Sequence, residues 1–258
     1  MSESTGVLRE PPSPFVAAWA VFRRELGGYF ATPVAYVFIV VFLLLAGVFT
    51  FALGGLYERG QADLQPLFNT VPWLFLFLIP AVSMRLWSEE RRGGSIELLV
   101  TMPAPIWSSV IAKFLAAWAF TLLALALTFP AWVTVSRLGE PDHGAILAGY
   151  AGSALMAGAF LAVGACVSAA TKSQVIAFVL GASACMVFVL AGFGPVIEFL
   201  RGWAPGWLVE GVGALGFLTR AQNFARGVIE LADLVYFATV IAAALIACAA
   251  IINAKKAD

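Results

Sequence analysis

The sequence predicts an all-α polytopic membrane protein with six transmembrane helices. Of its 258 residues, 62% are hydrophobic and 12% are charged, whereas about a quarter of the residues in a soluble domain are charged. Apolar runs of about 20 residues, the length that crosses a bilayer, recur along the chain. The predicted spans are 34–56, 67–85, 106–136, 145–170, 174–193 and 234–253.

Prolines and one threonine mark the first three spans. Thr32 can cap the first helix, and Pro33 suits its first position. The second span contains Pro72 and Pro80, so we expect it to be kinked, and the third carries Pro130 near its far end.

Small residues recur on two faces of the fourth span. In lipid they let helix backbones approach closely, so they favour tight packing within the bundle, and a dimer seam stays open as the alternative. The two ladders are Gly149, Ser153 and Ala157, and Ala154, Gly158 and Ala162.

The distribution of lysine and arginine predicts the orientation in the membrane. If the N-terminus is cytoplasmic, ten of the fifteen basic residues lie on the inner side, as the positive-inside rule requires. Both termini are then cytoplasmic. The N-terminal tail is polar and rich in proline, so no cleavable signal is expected. The predicted domains are 1–33, a tail with an interfacial helix; 34–254, the membrane domain; and 255–258, a cytoplasmic tail.

An amphipathic helix is predicted before the first span. Its apolar stripe should lie in the headgroup layer of the membrane lipid, with Trp19, Phe22, Arg23 and Arg24 as interface residues. A contact with a cytoplasmic partner is an equally open interpretation. The stripe is formed by Phe15, Trp19, Phe22, Leu26 and Phe30, and Arg23, Arg24 and Glu25 are expected on the other side.

Segment 194–233 is too long for a turn and too polar for a span. Its mixture of aromatic and charged residues predicts short external helices that enter the outer leaflet and return, as a lid over a pathway. An ordinary folded external loop is the alternative.

The most informative segment is 86–105, a charged stretch between the second and third spans. Gly93 and Gly94 should end the preceding helix, and Ser95 can cap a short new one with Glu97 in its first turn. The apolar side of that helix, which includes Leu98, indicates a surface that docks into another protein.

The run from Glu90 to Leu99, followed by Pro103, resembles the E-x-x-x-G-T-x-E-x-L-x-x-x-P signature of ABC-2 type transporter permeases, with Ser95 in place of threonine. Further stretches are similar to the gliding-motility-type branch of that class. They are the run from Phe22 to Leu26, the Tyr29–Pro33 approach to the first span, and the stretch from Pro72 to Arg85.

The resemblance implies that 86–105 is a coupling loop that docks on a separate ATP-binding cassette ATPase. ATP and magnesium would then be bound by that partner, and no cofactor by this chain. It also implies two ATPase copies, a second permease copy or a related permease, and a multi-pass location in the bacterial inner membrane, with export as the favoured direction. The docking residues carried over from the signature are Glu90, Gly94, Ser95, Glu97, Leu98 and Pro103.

Other function classes find less support. The sequence contains no G-x-x-x-x-G-K-[ST] nucleotide loop and no metalloprotease or nucleophile-elbow motif, so neither an ATPase nor another enzyme is expected. Its lone histidine, His143, falls in a predicted external loop, and its cysteines fall in apolar runs, so no catalytic or metal-binding residues are assigned. No strongly basic field points to nucleic acid. An ion-coupled secondary transporter or channel remains the alternative function, and the substrate is not predicted.

Overall fold

A computed structural model describes residues 14–56, 60–94 and 106–254 of the chain. Within these ranges the protein is helical and contains no β-strand. The α-helices are α1 Pro14–Phe30, α2 Pro33–Gly47, α3 Gln65–Ser83, α4 Arg85–Arg92, α5 Ile106–Ala126, α6 Phe129–Leu138, α7 His143–Ala170, α8 Gln174–Ala191, α9 Gly194–Arg201, α10 Gly206–Ala214, α11 Phe217–Ala225 and α12 Leu231–Ala254.

Six helical stretches in the described ranges are long and apolar enough to cross a membrane. Their number agrees with the prediction from the sequence, and their ends differ from the predicted ones by a few residues. The largest difference is in the second stretch, which continues as helix past Arg85 to Arg92. The six are Pro33–Leu53, Gln65–Arg92, Ile106–Leu138, His143–Ala170, Gln174–Ala191 and Leu231–Ala254.

The first span begins and ends irregularly. Pro33 occupies the first turn of α2 as predicted, but Thr32 does not cap the helix, because its hydroxyl donates to the carbonyl of Tyr29 at 3.1 Å. At its other end α2 passes into a π-helical run, Val48–Leu53. Such insertions are rare and are frequently found at functional sites.

The second and third spans are each interrupted. The second is divided at Met84, one turn after Pro80, and the two parts are α3 and α4. The third is divided at Leu127 and Thr128, so that Pro130 lies in the first turn of α6. The N–H groups of a first turn have no acceptor within the helix, so a proline there costs no hydrogen bond.

Helix α7 is the centre of the bundle. It contacts α3, α4, α5, α8, α11 and α12. Its small residues permit these contacts: a Cβ at Gly149 would overlap the ring of Phe68, and one at Gly158 would approach Ile241 to 3.0 Å. The predicted tight packing within the bundle is therefore present in a single copy of the chain.

Three short helices, α9, α10 and α11, lie at the end of the bundle remote from α4. The last of them packs on α7, α3 and α8, with Phe217 and Phe224 fully buried. Arg220 of α11 forms an ion pair of 2.6 Å with the buried carboxylate of Asp233 on α12. The segment is therefore folded against the spans, and its depth in the outer leaflet stays a prediction.

Helix α1 packs lengthwise along α5. The ring of Tyr29 stacks on Phe120 at 5.0 Å, and Phe15 and Trp19 remain exposed. One expectation is wrong: Glu25 does not lie on the solvent side with Arg23, because it turns toward α5 and pairs with Lys113. Whether the exposed aromatic end of α1 lies in the headgroup layer stays a prediction.

Candidate functional site

The candidate site is built around α4, the helix that leads into the predicted docking loop. Because the second span is divided at Met84, the first N–H groups of α4 lack helical acceptors. Ser168 of α7 replaces them: its Oγ accepts hydrogen bonds of 3.1 Å from the backbone N–H groups of Trp87 and Ser88. The same hydroxyl donates to the carbonyl of Met84 at 2.8 Å. One side chain of α7 thus fixes the start of α4.

The remainder of α4 is attached to the turn between α7 and α8. The guanidinium of Arg91 donates to the carbonyl of Ala169 at 2.8 Å. On the other side of the turn, the amide of Gln174 donates to Glu89 at 2.8 Å, and Arg85 pairs with the same carboxylate at 2.8 Å. A displacement of α4 therefore acts on the ends of both α7 and α8.

A buried lysine connects α4 with α5 and α1. The Nζ atom of Lys113, on α5, lies 2.9 Å from Oε1 of Glu90 and 3.1 Å from Oε1 of Glu25. Only 3% of its side chain is exposed. The ammonium also lies 5.3 Å from the centre of the Trp87 ring, within range of a cation–π contact. We call Glu25, Glu90 and Lys113 the lysine cluster.

The charges of the lysine cluster stabilise one another. A buried ammonium is costly unless carboxylates compensate it, and here two helices supply one each. Arg24 adds a second positive charge, 2.7 Å from Glu25 and 3.8 Å from Glu90. Burial acts to raise the pKa of Glu25, but the charges of Lys113 and Arg24 and their hydrogen bonds outweigh it, so that this pKa lies below its ordinary value of 4.5. Glu25 is therefore ionised at neutral pH.

A cleft of about 260 Å³ lies between α1 and α4, beside the cluster. Charged and aromatic side chains line it, among them Arg24, Tyr29, Arg85 and Glu89. The contacts around α4 are ion pairs and hydrogen bonds between helices. Such contacts are suited to transmitting a displacement of one helix to its neighbours.

Two of the six predicted docking residues lie in the described part of the chain. Glu90 is near the end of α4, with its Oε1 directed at Lys113, and Gly94 follows the helix with a φ of +68°, a conformation that favours glycine. Ser95, Glu97, Leu98 and Pro103 lie outside the described residues. Of the predicted interfacial residues, Trp19, Arg23 and Arg24 are exposed and Phe22 is half-buried, stacked on Trp19 at 5.3 Å.

Sequence reasoning missed three residues of the site. Lys113 was not assigned a role, although a lysine two turns inside an apolar helix already signals a need for carboxylate partners. Glu25 was placed on the wrong side of its helix. Ser168 gave no signal, because a serine among small residues is typical of a packed membrane helix.

The CcmB protein family matches residues 16–173 of the chain. This chain belongs to the CcmB family. The matched region begins inside α1 and extends past the end of α7, and it includes Ser168 and every member of the lysine cluster.

A curated relative is the heme exporter protein B of Rhodobacter capsulatus, which is 30% identical over 131 residues. The aligned region covers 48% of this chain and 56% of the relative, so the chain spans about half of that protein's length. The predicted class, an ABC-2 type membrane permease, is confirmed by the family membership. Neither match supports the narrower assignment to the gliding-motility-type branch.

Proposed function

We propose that this CcmB-family chain is the permease subunit of an ATP-driven exporter, moved by a separate ATPase that docks on α4 and the loop after it. The observation that carries the proposal is the attachment of α4 to the rest of the bundle. Ser168 joins it to α7, Gln174 joins it to α8, and Lys113 joins it to α5 and α1. A partner that moves this one short helix acts on four others.

The proposed mechanism is a two-state change. When ATP closes the partner subunits, the docked loop shifts α4, and α7 follows because its Ser168 is bonded to the start of α4. Helices α5 and α1 follow through the lysine cluster. The interruptions at Met84 and Leu127 are the places where the spans can change direction without breaking a continuous helix.

The partners and location are part of the same proposal. ATP and magnesium are bound by two ATPase copies, and a second permease, identical or related, completes the pathway. The protein lies in the bacterial inner membrane with both termini in the cytoplasm, the orientation that its lysine and arginine distribution favours. Charge attraction between the partner and Glu97 would assist docking, since Glu89 and Glu90 are paired within the chain.

The proposed cargo is heme, the substrate named for the relative in Rhodobacter capsulatus. One feature at the far end of the bundle supports an amphipathic, anionic cargo: a cavity of about 370 Å³ between α3 and α11. Trp73 and Phe193 form an aromatic wall, and Arg226 supplies a positive charge beside Gln65 and Gln222. Two aromatic rings beside a guanidinium are chemically suited to a cargo that combines an apolar ring system with carboxylates.

Association with the ATPase tests the docking step. The chain is co-expressed with the ATP-binding cassette subunits of its own genome and purified in detergent. The double change Glu97→Lys and Leu98→Lys should abolish co-purification and ATPase activity while membrane insertion is unchanged. The matched control is Glu198→Lys, the same charge reversal on exposed α9. Undiminished association of the double variant would contradict the proposal.

Transport in proteoliposomes tests the energy source. The complex should move heme only when ATP is supplied to the side that carries the ATPase. Heme movement that follows an imposed proton or sodium gradient without ATP would contradict the proposal and favour an ion-coupled carrier.

A further inference from the structure

Two helix irregularities in different spans meet at one cavity. The π-helical run Val48–Leu53 interrupts the first span, and the break at Leu127 and Thr128 interrupts the third. Between them lies a cavity of about 260 Å³, which is also bordered by Leu67 of α3. The proposed transport mechanism does not use this cavity.

One hydroxyl in the cavity wall has no hydrogen-bond acceptor. Thr50, in the π-helical run, is 1% exposed, and its Oγ1 forms no hydrogen bond with any residue that the structure describes. The other hydroxyl, that of Thr128, is engaged with the carbonyl of Leu125 at 2.7 Å and with the hydroxyl of Tyr150 at 2.9 Å. The cavity therefore offers one donor in a wall that is otherwise apolar.

The polarity of the cavity wall determines which class of ligand fits it. An ordered water needs two to four polar partners, and the cavity offers one unsatisfied group. A charged ligand would find no opposite charge among the described lining residues. The fitting ligand is an apolar chain that ends in a single hydrogen-bond acceptor.

The surroundings of the cavity indicate where such a ligand comes from. Leu127, which lines the cavity, is 43% exposed, and Val48 and Phe129, which follow and precede lining residues in sequence, are 45% and 55% exposed, as expected for side chains that face lipid. Thr50 lies three residues before the end of the span Pro33–Leu53, close to the depth at which acyl chains join their headgroups.

We propose that the cavity binds one acyl chain of a membrane phospholipid, whose ester carbonyl accepts a hydrogen bond from Thr50. The cavity, of about 260 Å³, accommodates part of a single chain and not a whole phospholipid. The bound chain fills the gap between the interrupted parts of the first and third spans.

Photo-crosslinking tests the site in the full-length protein. The chain is reconstituted in nanodiscs of phosphatidylethanolamine and phosphatidylglycerol with a trace of phospholipid that carries an acyl-chain diazirine. Crosslinks are then mapped by peptide mass spectrometry. The yield at residues 46–51 and 127–131 should exceed that on the lipid-facing side of α8, at Val175 and Val179.

Substitutions at the cavity decide between a specific site and general lipid contact. Gly47→Phe fills the cavity without a backbone clash, since a Cβ at Gly47 meets no atom within 4 Å, and it should reduce the crosslinks at least tenfold. Leu44→Phe, on the same helix but outside the lining, is the matched control and should have no effect. Thr50→Val should reduce the yield about fivefold, and Thr50→Ser should preserve it.

Equal crosslinking of wild type and Gly47→Phe, or equal yields along all lipid-facing helices, would overturn the proposal. If Gly47→Phe fails to fold, the comparison of Thr50→Val with Thr50→Ser decides: equal yields would again overturn it. Displacement of the crosslink by heme and not by unlabelled phospholipid would assign the cavity to cargo instead of lipid.

Discussion

The Nζ atom of Lys113 lies 2.9 Å from Oε1 of Glu90, so a lysine inside the third span holds α4, the helix that leads into the proposed docking loop. The same ammonium reaches Glu25 on α1 at 3.1 Å. Three segments that are distant in sequence are therefore fixed at one buried point, and a movement of any of them is felt by the other two.

Removal of the buried charge should destabilise the protein strongly. Lys113→Met leaves the two carboxylates with only the exposed Arg24 as a counterion, so the expected cost is up to about 3–5 kcal/mol of unfolding free energy. Thermal unfolding of the purified protein in detergent measures it. Lys172→Met, the same change at an exposed lysine, should leave stability within about 0.5 kcal/mol.

Neutralisation of the whole lysine cluster provides the cross-check. Adding Glu25→Gln and Glu90→Gln to Lys113→Met removes the uncompensated charges, so part of the lost stability should return. A triple variant less stable than Lys113→Met would show that electrostatic compensation is not the role of these residues.

Loss of the Ser168 hydroxyl should loosen α4 specifically. Ser168→Ala leaves the N–H groups of Trp87 and Ser88 without their acceptor, at a cost of about 1–3 kcal/mol. Hydrogen exchange of residues 85–92 should accelerate, with little change in α12. Ser153→Ala, about four turns earlier on the same helix, is the control and should not alter exchange in α4.

The close approach of α3 and α7 should tolerate no added methyl group at Gly164. A Cβ there would overlap Oγ of Ser83 and lie 2.7 Å from its Cβ, so Gly164→Ala should destabilise by about 1–3 kcal/mol. The control is Gly181→Ala on α8, whose Cβ would meet Pro80 at an ordinary 3.7 Å. Equal melting temperatures for the two variants would argue against the described packing.

Acid should weaken the contact of α1 with the bundle. Because the pKa of Glu25 is lower in the folded protein than its ordinary value of 4.5, the ionised carboxylate stabilises the fold at neutral pH. That contribution is complete above pH 4.5 and is lost as the pH falls through the folded pKa. Melting temperatures between pH 7 and pH 3 should decline less steeply below 4.5 in Glu25→Gln, whereas Glu198→Gln should follow the wild type.

The six spans were predictable because composition and run length depend on the bilayer alone. The interruptions were not. Pro80 indicated a bend in the second span, yet the division at Met84 depends on Ser168, which is distant in sequence and supplies the missing acceptor. The π-helical run after Gly47 was also not predictable, because its sequence contains no proline that would indicate an irregular helix.

The candidate site was predicted only in part, for a related reason. The charged segment was predictable because so many charges must leave the membrane, and Glu90 and Gly94 lie in the part of it that the structure describes. The partner of Glu90 could not be inferred, because Lys113 belongs to another helix and the pairing depends on how α5 packs against α1 and α4. Glu25 was predicted on the wrong side of α1 because the buried face was identified from apolar residues alone. A charged residue that is buried by pairing does not contribute to that pattern.

Docking of a cytoplasmic ATPase requires the segment after α4 to lie on the cytoplasmic side of the membrane, and cysteine labelling measures that. Cys166, Cys185 and Cys248 are replaced by alanine, and a cysteine is placed at Gly93, which has a negative φ and so accepts a side chain more readily than Gly94. In intact cells a membrane-impermeant maleimide should leave this cysteine unmodified, and it should be labelled once the cytoplasmic face is opened. Labelling from the outside of intact cells would contradict the account, because no cytoplasmic ATPase could then reach α4.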